Sequence, residues 1–219
     1  MDKEIIHVYC VPGMAAHVSI FEFIQLPEHY KIHTIPWEIP KQKESLQSYA
    51  KRLSLQVTEN NAVLLGVSFG GIMVQEMNRF LKIRKLIIVS SVKTKHEFPL
   101  RFEMVRRTRL HKVLPTSLVQ KVENWERIML TEHTKNIGRL YDKYLTVKDK
   151  FYLDWSIENI LNWTQEKPMN NLIHIHGAND LVFPIKNIKN CITVPKGTHA
   201  MIVNRARWFN ENLPKLIEN

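Results

Sequence analysis

The sequence predicts an α/β fold, a mainly parallel six-stranded sheet with helices on both faces and a helical cap. Three observations point there. Short apolar runs recur along the chain, several rich in β-branched residues, and their brevity suits strands buried on both faces. Between the early runs, apolar residues recur at three- and four-residue spacing, the mark of helices with one buried face. From Ser91 to Pro168 this alternation stops, and the chain becomes charged, helical in pattern and poor in strand signals.

The expected strands fall at Ile5–Cys10, Ile32–Trp37, Val63–Leu65, Leu86–Ser90, Leu172–His176 and Ile192–Val194. Leu46, Tyr49, Ala50, Leu53 and Val57 share one helix face, and Ile72, Met73, Met77, Phe80 and Leu81 define a second helix. Strands that alternate with helices pair in parallel through right-handed crossovers. In the strand-poor stretch, helix breaks are expected at Leu114-Pro115-Thr116, near Leu130-Thr131-Glu132 and near Thr146–Asp149, with a last helix from about Lys150 to Trp163. The whole chain reads as a single domain over residues 1–219, with a cap inserted at approximately 93–150. An all-helical excursion between two sheet strands is the usual way to place a lid over a site at the strand ends.

Composition narrows the function classes. With 44% apolar and 24% charged residues, the chain has an ordinary globular balance. No apolar run approaches the roughly 18 residues of a membrane span, so no integral membrane segment is expected. The acidic start Met1-Asp2-Lys3-Glu4 has no secretory pattern. Cys10 and Cys191 sit in apolar runs and read as free thiols, which makes the cytoplasm the expected address. The net charge of +10 is concentrated partly at Arg101, Arg106, Arg107, Arg109 and Lys112. No nucleic-acid motif accompanies it, so the cluster reads as a solvated helix face and no nucleic-acid partner is expected.

Of only seven glycines, three crowd one serine in the stretch AVLLGVSFGG. Gly66-Val67-Ser68-Phe69-Gly70 follows a buried strand and precedes an amphipathic helix. A sharp strand-to-helix turn exposes a serine hydroxyl at the sheet's carboxyl edge, and glycines remove the Cβ atoms that would collide there. The helix N-terminus favours negative charge, and the Phe69 N–H is placed to meet a developing oxyanion. A glycine-rich turn with a serine N-cap and a phosphate-binding loop are the competing readings, and the second lacks the Gly-Lys-Ser/Thr it needs.

A serine needs a base and an orienting acid. In LIHIHGANDLVFP, Asp180 lies just past a strand end; in ITVPKGTHAMI, His199 does the same. Both fall on the sheet edge that carries Ser68, where open α/β sheets build their sites. Among the ten histidines, His7, His33, His174 and His176 lie inside strand runs and read as structural. His174 and His176 have metal-like spacing without a third ligand, so no metal is expected. A second oxyanion donor is expected from YCVPGMAAH, with Gly13 permitting the turn and Met14 N–H donating. Gly13, His17 and Trp155 are the candidate substrate-binding residues, with a helix-start role equally open for His17. Trp125, Met129, Tyr141, Tyr144 and Trp163 are further cap or pocket candidates.

Gly13, the Gly66–Gly71 elbow, HGANDLVFP and GTHAMI occur in this order, each at a strand end. On these motifs the chain resembles the α/β-hydrolase superfamily over nearly its whole length. The resemblance implies a Ser68–His199–Asp180 triad, a cap between the sixth and seventh family strands, and the strand order 4-3-5-6-7-8 in family naming. The chain starts at the family's third strand, has Pro12-Gly13 where many members have His-Gly, and leaves only ten residues between Asp180 and Cys191, so the helix there is reduced to a turn or lost. The expected reaction is hydrolysis of an ester or thioester of a small-molecule or acyl-chain substrate, with no cofactor. An acyltransferase with the same triad and a ligand-binding protein that keeps the fold are the alternatives.

Overall fold

A computed structural model describes residues 4–108 and 143–219. Six strands, β1 (Ile6–Val11), β2 (Tyr30–Thr34), β3 (Val63–Val67), β4 (Lys85–Val89), β5 (Leu172–Gly177) and β6 (Ile192–Val194), form one sheet. Its order is β2-β1-β3-β4-β5-β6 and every neighbouring pair is parallel. This is the expected order, with the sheet wholly rather than mainly parallel. Helices α1 (Leu46–Ser54), α2 (Phe69–Met77), α3 (Leu100–Thr108), α4 (Lys150–Leu161), α5 (Met201–Asn204) and α6 (Ala206–Glu218) accompany it.

The two-residue period of a strand sends alternate side chains to opposite faces. Val8 and Cys10 of β1, Leu65 of β3 and Val89 of β4 therefore join one core with Phe209, Leu213 and Ile217 of α6. Tyr9, Leu64 and Ile88 point the other way, into a core with Tyr49 and Leu53 of α1 and Met73 and Met77 of α2. Cys10 and Cys191 are free thiols, and burial pushes the Cys10 thiol up to about 12.

β2 departs from the expected Ile32–Trp37. Its ladder to β1 runs from Ile6↔Tyr30 to Cys10↔Thr34, so it starts earlier and stops before Pro36, which has no N–H to extend the ladder. The stretch after Asp180 holds only a short 3-10 turn at Ile185–Asn187, the expected loss of a helix. α4 starts at Lys150 as expected and ends at Leu161; Asp149 caps it by accepting from the Tyr152 N–H at 2.8 Å. The breaks expected near Leu114 and Leu130, the basic residues Arg109 and Lys112, and the pocket candidates Trp125, Met129 and Tyr141 lie outside the described residues.

Candidate active site

The turn between β3 and α2 is built on steric exclusion. Ser68 has φ 53° and ψ −117°, a conformation disfavoured for a residue with a side chain. Ser68 N–H donates to Val89 O at 2.9 Å, while Ser68 O accepts from Gly71 N–H at 2.9 Å and from Ser91 Oγ at 2.7 Å. A Cβ on Gly66 would lie 2.2 Å from Gly70 O, and one on Gly70 would lie 2.3 Å from Pro12 O. On Gly71 it would meet Ser91 Oγ at 2.4 Å. These glycines are required by contact. Phe69 opens α2, so its N–H lacks an intrahelical acceptor.

His199 Nε2 lies 3.0 Å from Ser68 Oγ, and His199 Nδ1 lies 2.9 Å from Asp180 Oδ2. The Asp180 side chain is fully buried. Its other oxygen, Oδ1, accepts the N–H groups of Val182 at 2.8 Å and Phe183 at 2.9 Å. Burial pushes the Asp180 carboxyl up, but hydrogen bonds from His199 and the Phe183 N–H, with the nearby imidazoles, outweigh it and leave the group below its usual range. The ionised form is the one held. With Asp180 accepting at Nδ1, Nε2 of a neutral His199 is free to accept the Ser68 proton.

One feature behind this arrangement escaped sequence reasoning, the contact between the acid and base turns. Gly177, ahead of the acid, and Gly197, ahead of the histidine, press together: a Cβ on Gly177 would stand 2.4 Å from Gly197 O. Asn179 N–H also donates to Gly197 O at 2.8 Å, so the acid and base turns are locked to each other. Their places, three residues before Asp180 and two before His199, were the available signal. His176, read as structural from its place in a strand run, supports the acid turn. Its Nε2–H donates to Phe183 O at 2.8 Å, beneath the turn that holds Asp180, and its Nδ1 meets His174 Nε2 at 3.1 Å. Burial drives the His174 and His176 imidazoles down, so both serve as neutral structural groups.

No family model matches the sequence, and no curated protein matches it. Solved structures do. A thermophilic esterase from Thermogutta terrifontis superposes with a TM-score of 0.67 at 15% identity, covering 97% of this chain and 91% of that one. An enol-lactonase from Burkholderia xenovorans gives 0.68 at 13%, covering 99% and 93%, and an esterase from Exiguobacterium antarcticum gives 0.65 at 16%, covering 100% and 94%. The fold is that of the α/β-hydrolases.

The loop after β1 lies beside the serine. Gly13 and Met14 line a cavity of about 540 Å3 together with Ser68, Phe69 and His199. Gly13 does not supply the loop's left-handed residue; Ala15 does, with φ 63°. A Cβ on Gly13 would meet Ser68 Cβ at 3.5 Å, an ordinary contact. The rest of the described lining is mainly apolar, including Ile20, Ile72, Phe102, Ile160, Leu161 and Val203. Tyr144 also lines it, whereas Trp163 packs into the core and donates to Glu76 Oε1 at 2.9 Å. Arg101 is the one cation of the described lining and donates to Leu181 O at 2.7 Å and Val182 O at 2.5 Å.

Two expected substrate-binding residues are placed elsewhere. His17 Nδ1 accepts from Ser19 N–H at 3.2 Å and caps a 3-10 turn, the helix-start role. Trp155 turns away from the cavity, donates to Glu44 O at 2.7 Å and packs on Tyr49 with ring centroids 4.5 Å apart. Trp155 thus serves to fasten α4 to the start of α1. Trp37, which donates to Gly13 O at 2.7 Å, was not singled out by sequence.

Proposed function

We propose that the protein is a serine hydrolase that cleaves an ester or thioester through an acyl-enzyme on Ser68. The observation that carries this reading is the continuous hydrogen-bonded line Ser68 Oγ–His199–Asp180, whose inner end is a buried, ionised carboxylate. As Ser68 Oγ attacks the carbonyl carbon, His199 Nε2 takes its proton. The carbonyl π electrons move to oxygen, and the N–H groups of Met14 and Phe69 receive that oxyanion. The tetrahedral intermediate collapses, and His199 gives its proton to the departing alkoxide or thiolate. Water then repeats the sequence: His199 removes its proton, its oxygen attacks the acyl carbon, and Ser68 leaves as the free hydroxyl.

The apolar cavity favours an acyl chain as the bound part of the substrate, since its lining offers few groups that would desolvate at a cost. The segment 93–150 is the proposed cap, with α3 and α4 flanking the cavity beside Ser68. A panel of acyl esters and thioesters of graded chain length, run on wild type and Ser68→Ala, tests the reading. Turnover that varies with chain length and vanishes in Ser68→Ala is expected. Equal turnover by both proteins would place the chemistry elsewhere.

A further inference from the structure

The loop proposed to supply the first oxyanion donor is held by a side chain from another part of the chain. Trp37 Nε1–H donates to Gly13 O at 2.7 Å, and Ala16 N–H donates to the same oxygen at 3.0 Å. Gly13 O and Met14 N–H belong to one peptide unit. The unit is planar and trans, so its C=O and N–H point in opposite directions. Gly13 and Met14 line the cavity, whereas Trp37 is not part of its described lining. An oxygen drawn towards Trp37 therefore turns the Met14 N–H towards the cavity and Ser68. A carbonyl that accepts two hydrogen bonds is also polarised, which makes its own N–H a better donor.

The indole is itself fixed. Its ring stacks on Phe69 with centroids 5.2 Å apart and an interplanar angle of 17°, and it tilts against Tyr152 at 5.6 Å. Phe69 is the residue whose N–H is the second proposed donor, so one ring contact and one hydrogen bond join the two donors. The far side of the loop is secured separately, by Val147 N–H to Ala15 O at 3.0 Å and His17 N–H to Tyr144 O at 2.7 Å. Trp37 is the side chain that acts on the Gly13–Met14 unit itself.

We propose that Trp37 is a positioning residue for the oxyanion hole, aiming the Met14 N–H through Gly13 O. This rests on the serine-hydrolase reading above. The test is steady-state kinetics of Trp37→Phe on the best substrate of the chain-length panel, together with its thermal midpoint. Phenylalanine keeps an aromatic ring but has no N–H. Misaiming one donor without deleting it is expected to lower kcat about tenfold or more, short of the ~10²–10³ loss that follows removal of a donor. KM should change by less than about twofold, because the interaction matters most in the transition state.

A packing role alone would lower the thermal midpoint and leave kcat intact. If Trp37→Phe is too unstable to assay, 3-benzothienylalanine introduced at position 37 decides, since it matches the indole in shape and lacks the N–H. A kcat within twofold of wild type in either folded variant overturns the proposal, as does a change confined to KM. Wild-type turnover that survives Ser68→Ala overturns the hydrolase reading and this proposal with it. Ser68-dependent turnover that is indifferent to Trp37 overturns the positioning role alone.

Discussion

The two sides of the serine are held by different physics. On the elbow side, backbone presses on backbone: Gly66 and Gly70 leave 2.2 and 2.3 Å for a Cβ, and Ser68 sits at φ 53°. On the loop side, Gly13 has room for a Cβ at ordinary distance, and position is set by hydrogen bonds from Trp37, Val147 and Ala16. Steric exclusion restricts which residues can stand at a position. Hydrogen bonding from afar restricts only the partner, which can be anywhere in the chain. The elbow was therefore legible in the sequence, and the means of holding the loop was not.

The largest expected effect lies at the acid. Asp180→Asn should fold and lose roughly 10⁴-fold in kcat, because an amide neither fixes the imidazole tautomer nor stabilises the imidazolium. Steady-state kinetics and a far-UV spectrum check both halves of this. Activity near wild type would move the acid to another residue, such as Asp149 or Asp154. Asp149 already caps α4, which leaves it poorly placed for that role.

Gly70→Ala should destabilise the fold by about 3 kcal/mol or more, because the new methyl meets the carbonyls of Pro12 and Val11 and neither is a flexible side-chain end. Chemical denaturation measures it. A midpoint close to wild type would show that the elbow is looser than the contacts imply.

A smaller effect concerns pH. The Asp180 carboxyl lies below its usual range in the folded chain, so its ionised form stabilises the fold above the unfolded value of about 3.9. That contribution is lost as pH falls through the lower folded value. Denaturation midpoints of wild type and Asp180→Asn should therefore differ most near neutrality and converge in acid. A difference independent of pH would mean that ionised Asp180 does not favour the fold.

The smallest effect is expected on the loop. Gly13→Ala should change stability by less than about 1 kcal/mol, since its methyl finds ordinary contacts with Ser68 Cβ and Val67 O. A loss as large as that of Gly70→Ala would erase the contrast between the two sides.

Much of the fold could be read in advance because it depends on local pattern. The six apolar runs mark six strands, and the helix face of Leu46, Tyr49, Ala50 and Leu53 is buried as its spacing indicated, whereas Val57 lies beyond the end of α1 at Ser54. The shift of β2 to Tyr30–Thr34 was harder to foresee. The ladder with β1 sets its start, and Tyr30 and Lys31 carry no apolar alternation of their own. At the site, Ser68, Asp180 and His199 stood out because each follows a strand at its carboxyl end. His17 and Trp155 had suggestive positions, yet a cap and a remote carbonyl claimed their polar atoms. The Gly177–Gly197 contact and the bond from Trp37 to Gly13 join segments distant in sequence, so a reading along the chain did not connect them.

Intact-mass analysis after treatment with a fluorophosphonate tests the central claim most directly. A serine made nucleophilic by His199 and Asp180 forms a covalent phosphonyl adduct as fluoride departs, whereas an ordinary turn serine does not react. The expected result is a single adduct on Ser68 in the wild type, none in Ser68→Ala and almost none in His199→Ala. A wild type that stays unmodified across probes of several sizes, or an adduct that maps to another residue, would contradict the account.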